Sequence, residues 1–266
     1  MADALDRNAA ASGSATSSML HFNRKSLAYP VDDSVALAVC TDEAYALYAA
    51  MALRSATLSI SSERKIEGYF VDCGVEPDTR KRVERALDIT NLNLHWEHVD
   101  TRNFDHLPHS KWTSEAAFAR LCVPYLLPDE ISHFIYLDSD IFVLRDIYDL
   151  WSERSKNSII SACEDWKYPK VKYAKASSTL VELGKSPNDT YFNSGLLIVN
   201  REEWINNKIS ATVCYLSKKY GERFTHKDQD PLNLAVGNEW SELDKRWNVV
   251  TYKYRQEENI SINPYT

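Results

Sequence analysis

Two carboxylates flank a single serine inside an apolar run, in the order Asp138-Ser139-Asp140. The run from Phe134 to Leu144 is rich in β-branched and aromatic residues, which predicts a buried strand. A carboxylate is rarely buried without a partner, because desolvating a charge costs free energy. Such oxygen ligands suit Mg2+ or Mn2+, which usually keep some waters and bind a substrate phosphate. The pair therefore predicts a metal-bridged diphosphate; the alternative is a turn, with Asp138 as a cap and Asp140 in solvent.

Another carboxylate follows the first apolar run, residues 35–40, where the chain enters a helix-like segment. Asp42 is typical of an N-cap for a helix that begins near Ala44. The same carboxylate could instead accept a hydrogen bond from the imide N–H of a uracil, with the ring of Tyr45 stacked on the base. Taken alone, these residues favour the cap.

One cation, Arg120, interrupts an apolar segment inside a helix predicted over residues 114–127. It could extend to solvent and pair with a surface acid, reach a phosphate, or help to hold the acidic metal site. Farther along the chain, Asn193 and Ser194 precede a buried strand that begins near Gly195. They could be turn residues or could hold sugar hydroxyls, with the glycine permitting close approach of the backbone.

Acid, amide and basic side chains cluster over residues 226–233, just before a predicted helix. With Pro231 in the first helical turn, Asp230 is the predicted N-cap, which leaves Asp228 and Gln229 to line a pocket. Glutamine titrates at no useful pH, so Gln229 cannot act as a general base. Its carbonyl oxygen could still stabilise positive charge that develops on a sugar carbon.

The 266-residue chain is 44% hydrophobic and 26% charged, an ordinary globular composition that suits one large α/β domain. Its formal net charge of -7 argues against nucleic acid as a partner, and no apolar run is long enough to cross a membrane. Five scattered cysteines without a C-x-x-C pair indicate a reducing compartment rather than a disulfide scaffold or a zinc site. We therefore expect a cytoplasmic protein whose core thiols include Cys40.

Strand-like runs alternate with helix-like segments from residue 33 onward, which predicts an α/β fold with a mostly parallel central sheet flanked by helices. Ligands of such sheets bind beyond the carboxyl ends of the strands, where the Asp138 pair lies. Neither G-x-G-x-x-G nor G-x-x-x-x-G-K-[ST] occurs, so metal and side chains must hold any phosphate. Residues 1–32 are rich in Ala and Ser without periodicity, which predicts a flexible tail ahead of a single domain over 33–266.

In their order along the chain, these segments resemble the retaining glycosyltransferases of family 8, which include lipopolysaccharide galactosyl- and glucosyltransferases and glycogenin. The segments that carry the resemblance are Thr41-Asp42-Glu43-Ala44-Tyr45, Phe118-Ala119-Arg120-Leu121, Leu137-Asp138-Ser139-Asp140, Phe192-Asn193-Ser194-Gly195, Asp228-Gln229-Asp230 and Arg246-Trp247-Asn248. The resemblance implies a GT-A fold, the nucleotide-diphospho-sugar transferase architecture, with an acceptor-binding region beside the sheet. It also implies a UDP-glucose or UDP-galactose donor and Mn2+ or Mg2+.

The resemblance further implies roles for the acidic and amide residues. Asp138 and Asp140 match the family's metal ligands. Asp228 and Gln229 match the pair that contacts the sugar beside its reacting carbon, and they are the candidate catalytic residues.

A larger set matches the donor-binding positions of the family. It comprises Cys40, Asp42, Tyr45, Arg120, Asp138, Ser139, Asn193 and Ser194. Within that set, Asp42 and Tyr45 match uridine-binding residues, whereas Asn193 and Ser194 match the sugar pocket.

One family feature has no counterpart here. The family's third metal ligand is a histidine in an H-x-x-G-x-x-K-P-W motif, placed soon after the position of Trp247-Asn248, whereas the last histidine of this chain is His226. The expectations that follow are a chain shortened at its C-terminus, weaker donor binding, or other groups in place of the motif.

The sequence thus predicts a retaining hexosyltransferase that moves glucose or galactose to a hydroxyl of a saccharide, lipopolysaccharide or other glycoconjugate. Because Gln229 is a poor nucleophile, front-face attack is expected, with the leaving phosphate taking the acceptor's proton. A double displacement would need a carboxylate nucleophile, for which Asp228 is the candidate. Competing predictions are a non-catalytic nucleotide-sugar-binding protein and a metal-dependent UDP-sugar hydrolase. Membrane contact is expected only through the acceptor.

Overall fold

The computed structural model describes residues 34–60, 64–108 and 115–250, which build a seven-stranded sheet. Its strands are β1 (Ser34–Thr41), β2 (Lys65–Asp72), β3 (Leu92–His98), β4 (His133–Leu137), β5 (Ile160–Glu164), β6 (Phe192–Asn200) and β7 (Trp240–Glu242). In space they follow the order β3-β2-β1-β4-β6-β5-β7. The predicted tail, residues 1–32, lies outside the described ranges, so its separation from a domain over 33–266 stays a prediction.

Helices cover both faces of the sheet. They are α1 (Ala46–Ser59), α2 (Pro77–Ala86), α3 (Glu115–Phe118), α4 (Val123–Leu126), α5 (Ile147–Ser152), α6 (Ser177–Glu182), α7 (Arg201–Asn206), α8 (Ile209–Tyr220) and α9 (Gln229–Val236). The core on one face includes residues of α1, α2 and α5. The core on the other face includes residues of α3, α4, α7, α8 and α9. No helix of the described ranges has the length and apolar character needed to cross a bilayer.

The predicted α/β fold with a mostly parallel sheet is confirmed, with one strand reversed. β3, β2, β1 and β4 run parallel to one another, and β5 runs parallel to β7. β6 is antiparallel to both of its neighbours, β4 and β5. Because of this reversal, β6 begins at the edge of the sheet where β1, β4 and β5 end.

α1 lies close to the sheet because small residues face it. Ala46, Ala49 and Leu53 are fully buried. Beneath the helix, a Cβ on Gly68 would come within 2.8 Å of Leu92 Cδ1 and 3.0 Å of Leu53 Cδ2. Glycine at this position therefore permits the close approach, and burial of Leu53 contributes about 1.5–3 kcal/mol.

The single helix predicted over residues 114–127 is wrong. The described part of this segment forms α3, a 3-10 turn at Ala119–Leu121, and α4. Pro124 explains the break, because proline has no N–H and its ring clashes with the carbonyl four residues earlier. Arg120 consequently lies on the 3-10 turn, where its Nε donates to the carbonyl oxygen of Ala117 at 2.9 Å.

The strand predicted from Phe134 to Leu144 is also shorter than expected: β4 ends at Leu137. The apolar side chains beyond it do not enter the sheet, and Phe142 and Leu144 are 61% and 73% exposed. The backbone N–H of Val143 donates to a serine side chain of α1 at 2.9 Å instead of to a neighbouring strand. The acidic pair therefore occupies the turn that follows β4, which confirms its predicted place at the carboxyl end of a strand.

Candidate active site

A cleft of about 490 Å³ lies at the edge of the sheet where β1 and β4 end and β6 begins. The backbone N–H of Asp138 donates to the carbonyl oxygen of Gly195 at 2.8 Å, so the start of β6 lies against the end of β4. All the sequence-predicted site residues line this cleft: Cys40, Asp42, Tyr45, Arg120, Asp138, Ser139, Asp140, Asn193, Ser194, Asp228 and Gln229. The fold thus brings together side chains that are widely separated in sequence.

Arg120 is the buried cation of the cleft, with 6% of its side chain exposed. Its Nη2 donates to Asp138 Oδ1 at 2.9 Å and lies 3.2 Å from Asp228 Oδ2. Its Nη1 donates to the carbonyl oxygen of Ser194 at 2.9 Å. Burial alone would lower the pKa of Arg120, but the adjacent Asp138, Tyr136 and Asp228 raise it above its ordinary value. Of the three roles open to this arginine, the structure supports the one in which it holds the acidic residues in place.

Asp138 lies among competing charges. Its Oδ1 accepts hydrogen bonds from Arg120 and from the hydroxyl of Tyr136, the latter at 2.8 Å. About a third of the side chain, 32%, is accessible from the cleft. Burial raises the pKa of Asp138 to about 6, and although Arg120 lowers it, Asp228 and Asp140 add to the rise. In the absence of bound cations, this carboxyl group therefore takes up a proton more readily than an ordinary aspartic acid.

The turn after β4 is tied to the end of β1. Ser139 Oγ donates to the carbonyl oxygen of Cys40 at 3.3 Å. Asp140 is exposed at the mouth of the cleft. A Cβ on Gly195 would lie 3.1 Å from Asp138 Oδ2, so glycine keeps the space beside that oxygen open. Within the described ranges, no group of three or more His, Cys, Asp or Glu side chains is arranged to hold a metal ion.

Gln229 is a buried residue of the cleft lining, with 7% of its surface exposed. Its Oε1 accepts the backbone N–H of Ser194 at 3.0 Å, and its Nε2 donates to Asp165 Oδ2 at 3.2 Å. Both ends of the amide are therefore fixed.

Asp165 connects the two amide residues of the cleft. Its Oδ2 also accepts from Asn193 Nδ2 at 3.2 Å. Its Oδ1 accepts the backbone N–H groups of Lys167 and Tyr168 at 2.9 and 2.8 Å. Because β5 ends at the same sheet edge as β4, Asp165 reaches Gln229 and Asn193 from behind the cleft.

Comparison with known proteins decides the family. The family model described as glycosyl transferase family 8 matches residues 36–266. The chain belongs to glycosyl transferase family 8. General stress protein A of Bacillus subtilis (strain 168) is 31% identical to this glycosyltransferase over 224 residues, which cover 83% of this chain and 76% of that protein. Lipopolysaccharide 1,3-galactosyltransferase of Salmonella typhimurium is 26% identical over 174 residues, 62% of this chain but only 49% of that protein.

A solved structure of galactosyltransferase LgtC, in complex with donor and acceptor sugar analogues, shares the fold of this family 8 glycosyltransferase. The TM-score is 0.74 at 22% sequence identity, and the match covers 86% of this chain and 81% of that chain. The predicted GT-A fold is confirmed.

The helix start near Asp228 differs from the expectation. Asp230 was predicted as the N-cap, but α9 begins one residue before it, at Gln229. Fully buried, Asp230 accepts the hydroxyl of Tyr191 at 2.6 Å and the backbone N–H of His226 at 2.9 Å. Its carboxylate thus organises the loop ahead of α9. This leaves Asp228 on the cleft of the glycosyltransferase, 3.2 Å from the Arg120 guanidinium.

At the other end of the cleft, α1 begins at Ala46, two residues later than predicted. The N-cap position is Tyr45 and no side chain caps the helix, so the N-cap role predicted for Asp42 is wrong. Asp42 Oδ1 instead accepts the backbone N–H of Tyr45 at 3.3 Å, in the turn before the helix. The Tyr45 ring is 54% exposed and lies 5.8 Å from the ring of Tyr48. An exposed aromatic face in the cleft of a glycosyltransferase is suited to stacking on a planar ligand.

Cys40 is buried at the end of β1 and lines the cleft, as predicted for a core thiol. Burial and the neighbouring Cys73 raise the pKa of Cys40 well above its ordinary value. Its thiol is therefore protonated and unsuited to act as a nucleophile.

Sequence reasoning missed several residues of this glycosyltransferase's site. Asp165 gives only a weak signal, an acid after a predicted strand, and Tyr136 reads as an apolar strand residue. His226 also lines the cleft, and its Nε2 is buried without a hydrogen-bond partner among the described residues. The position of an acid after a strand end could have indicated Asp165, whereas nothing in the sequence indicates the hydroxyl contact of Tyr136.

Proposed function

We propose that this glycosyltransferase moves glucose or galactose from a UDP-sugar to a hydroxyl of a saccharide, lipopolysaccharide or other glycoconjugate, with retention of configuration. The observation that carries the proposal is the shared cleft, in which the acidic pair Asp138 and Asp140 lies with Asn193 and Gln229. Carboxylates suit a cation that binds a diphosphate, and amides suit sugar hydroxyls. Relatives named lipopolysaccharide 1,3-galactosyltransferase and lipopolysaccharide 1,2-glucosyltransferase support a hexose donor.

The carboxylate oxygens of the cleft are suitable ligands for Mn2+ or Mg2+. Asp138 Oδ1 already accepts two hydrogen bonds, which leaves its Oδ2 and the exposed Asp140 carboxylate as hard oxygen donors. Two protein carboxylates are few for such an ion, so oxygens of the donor diphosphate would complete its coordination. When bound, the metal would offset the negative charge that builds on the departing UDP.

The residues of the cleft favour front-face attack. Asp228 is paired with Arg120 at 3.2 Å, and this ion pair makes its carboxylate a weaker nucleophile. Gln229 presents an amide oxygen that can stabilise positive charge on the sugar carbon but titrates at no useful pH. The acceptor oxygen would therefore bond to that carbon as the bond to phosphate breaks, and the departing phosphate oxygen would take the acceptor's proton.

The proposal is tested by UDP release from a panel of nucleotide sugars with Mn2+ present, with and without saccharide acceptors. We expect release from UDP-glucose or UDP-galactose only when an acceptor is added. Asp140→Asn should abolish most of this release. Asp105→Asn, an exposed aspartate outside the cleft, is the matched control and should leave it unchanged.

The same measurement separates the competing functions. Release of UDP without any acceptor would favour a hydrolase. Thermal stabilisation by UDP with Mn2+, without release under any condition, would favour a non-catalytic binding protein. The anomeric configuration of the product distinguishes retention from inversion. An inverted product would contradict the front-face route.

A further inference from the structure

A second cavity, of about 310 Å³, lies beside β7 and shares no lining residue with the cleft. We name it the Trp240 pocket, and its lining residues are Asn188, Asp189, Thr190, Asn238, Trp240 and Glu242. Trp240 and Glu242 are two residues apart on a strand, so their side chains share one face of the sheet. β7 is the last strand of the sheet, so the pocket lies at its edge.

Trp240 gives the pocket a fixed aromatic surface. Its ring packs edge-on against Phe192, with 5.3 Å between the centroids and 61° between the planes. The indole N–H has no hydrogen-bond partner among the described residues. An indole that is fixed in this way can stack on the apolar face of a sugar ring, and its N–H can donate to one of the sugar hydroxyls.

Two lysines orient the amides of the pocket. Lys185, only 7% exposed, donates through Nζ to the carbonyl oxygen of Gly237 at 2.6 Å and to Asn238 Oδ1 at 3.2 Å. Lys172 Nζ donates to Asn188 Oδ1 at 3.1 Å. Because an ammonium only donates, each contact identifies the amide oxygen and leaves the NH2 group of Asn238 and Asn188 to donate elsewhere.

The charged and polar groups around the pocket indicate the class of ligand. The carboxylates of Asp189 and Glu242 line the pocket, and the two lysine ammonium groups contact its amides. Charges of both signs therefore lie at the pocket, so no strong field of one sign favours a phosphate or another ionic ligand. Indole and amide N–H donors together with carboxylate acceptors match a neutral ligand whose hydroxyls both donate and accept.

The pocket is also near the donor cleft. Thr190, in extended pairing with Lys170, precedes Asn193 of the cleft by three residues. Extended residues advance about 3.3 Å each, so roughly 10 Å of chain separates the two sites. That separation is within the reach of a short oligosaccharide.

We propose that the Trp240 pocket binds a neutral sugar unit of an oligosaccharide acceptor, remote from the unit that is glycosylated. This inference rests on the proposed transferase function for its role in catalysis, but saccharide binding is measured without any donor. The probe is a printed array of neutral oligosaccharides, with bound members measured again by calorimetry on the full chain.

Trp240→Ala and Glu242→Gln should each weaken binding of the selected oligosaccharide by about tenfold or more. Glu242→Gln keeps the side-chain shape, so it remains informative if loss of the indole disturbs folding. Glu239→Gln is the matched control, because Glu239 is exposed, adjacent to β7 and outside the pocket. Thermal stabilisation by UDP with Mn2+ should be equal in all four proteins.

Absence of binding to every neutral saccharide would overturn the proposal, as would equal affinities in Glu242→Gln and the wild type. Displacement of the saccharide by inorganic phosphate would overturn its neutral character. If UDP with Mn2+ fails to stabilise the wild type while the saccharide result holds, the donor proposal fails and the pocket assignment stands.

Discussion

The backbone N–H of Ser194 donates to Oε1 of Gln229 at 3.0 Å, and this bond joins the start of β6 to the start of α9. An N–H meets the oxygen end of an amide, so the bond determines which way the Gln229 amide points. The Gln229 Nε2 is then directed to Asp165. Gln229 is consequently a fixed, neutral dipole in the cleft. Such a group can stabilise charge during front-face attack but cannot serve as the carboxylate nucleophile of a double displacement.

Replacing Gln229 with Ala should slow turnover by about ten- to hundredfold, which corresponds to about 1.4–2.7 kcal/mol of lost stabilisation in the transition state. The substitution removes the stabilising dipole and the hydrogen bonds to Ser194 and Asp165, whereas the carboxylates proposed to hold the metal and diphosphate remain. Steady-state UDP release measures the change. A complete loss of turnover, with a sugar trapped on Asp228 and seen as added mass, would contradict front-face attack.

Asp165→Asn tests whether the network behind the cleft positions the reacting groups. The substituted side chain can keep its oxygen toward the loop N–H groups of Lys167 and Tyr168, but its NH2 then opposes the donors of Asn193 and Gln229. We expect kcat to fall by about ten- to hundredfold, because small misplacements of catalytic groups are costly.

The donor KM should change little in Asp165→Asn, and Asp105→Asn should match the wild type in both parameters. An unchanged kcat in Asp165→Asn would show that Gln229 and Asn193 keep their positions without this carboxylate. Thermal unfolding of each variant checks that the fold is retained.

Mn2+ should bind weakly to the nucleotide-free protein and more tightly when UDP is present. Only two protein carboxylates, Asp138 and Asp140, are proposed to hold the ion, so phosphate oxygens must supply further ligands. Titration calorimetry with Mn2+, with and without UDP, measures the difference. Tight binding without the nucleotide would show that the chain supplies more ligands than this pair.

A pair of side chains at the far edge of the sheet should make stability depend on pH. Glu67 is buried on β2, and its Oε2 lies 2.6 Å from His95 Nε2. Burial raises the pKa of Glu67, but hydrogen bonds from His95 and Asn93 outweigh it and bring the pKa below its ordinary value of 4.5. A lowered pKa means that the folded state binds this proton more weakly than the unfolded state does, so the stabilisation is complete above pH 4.5 and is lost as the pH falls below it.

Urea denaturation at several pH values tests this prediction. Glu67→Gln should be less stable than the wild type near neutral pH, and the difference should shrink as the pH falls below 4.5. Glu222→Gln changes an exposed carboxylate and is the control. A constant difference between Glu67→Gln and the wild type across this range would refute the linkage.

The apolar runs over residues 35–40 and from Gly195 predicted β1 and β6, because burial on both faces leaves a continuous apolar signal. β6 begins earlier than predicted, at Phe192, so Asn193 and Ser194 lie within the strand rather than before it. The failures have local causes that the pattern does not register. The run from Phe134 to Leu144 reads as one strand, but only its first part finds a partner strand, and Phe142 is exposed in the turn beyond. In the helix predicted over 114–127, Pro124 overrides the apolar periodicity.

The sequence by itself determined the chemical inventory of this glycosyltransferase: the acidic pair Asp138 and Asp140, the amides Asn193 and Gln229, and the apolar runs near them. Tertiary structure decided how they meet. The direction of β6 is not encoded in its own apolar pattern, because a strand buried on both faces reads the same in parallel and antiparallel pairing. Only the antiparallel placement brings Asn193 to the same edge as Asp138, and only packing across that edge brings Asp165 to both amides.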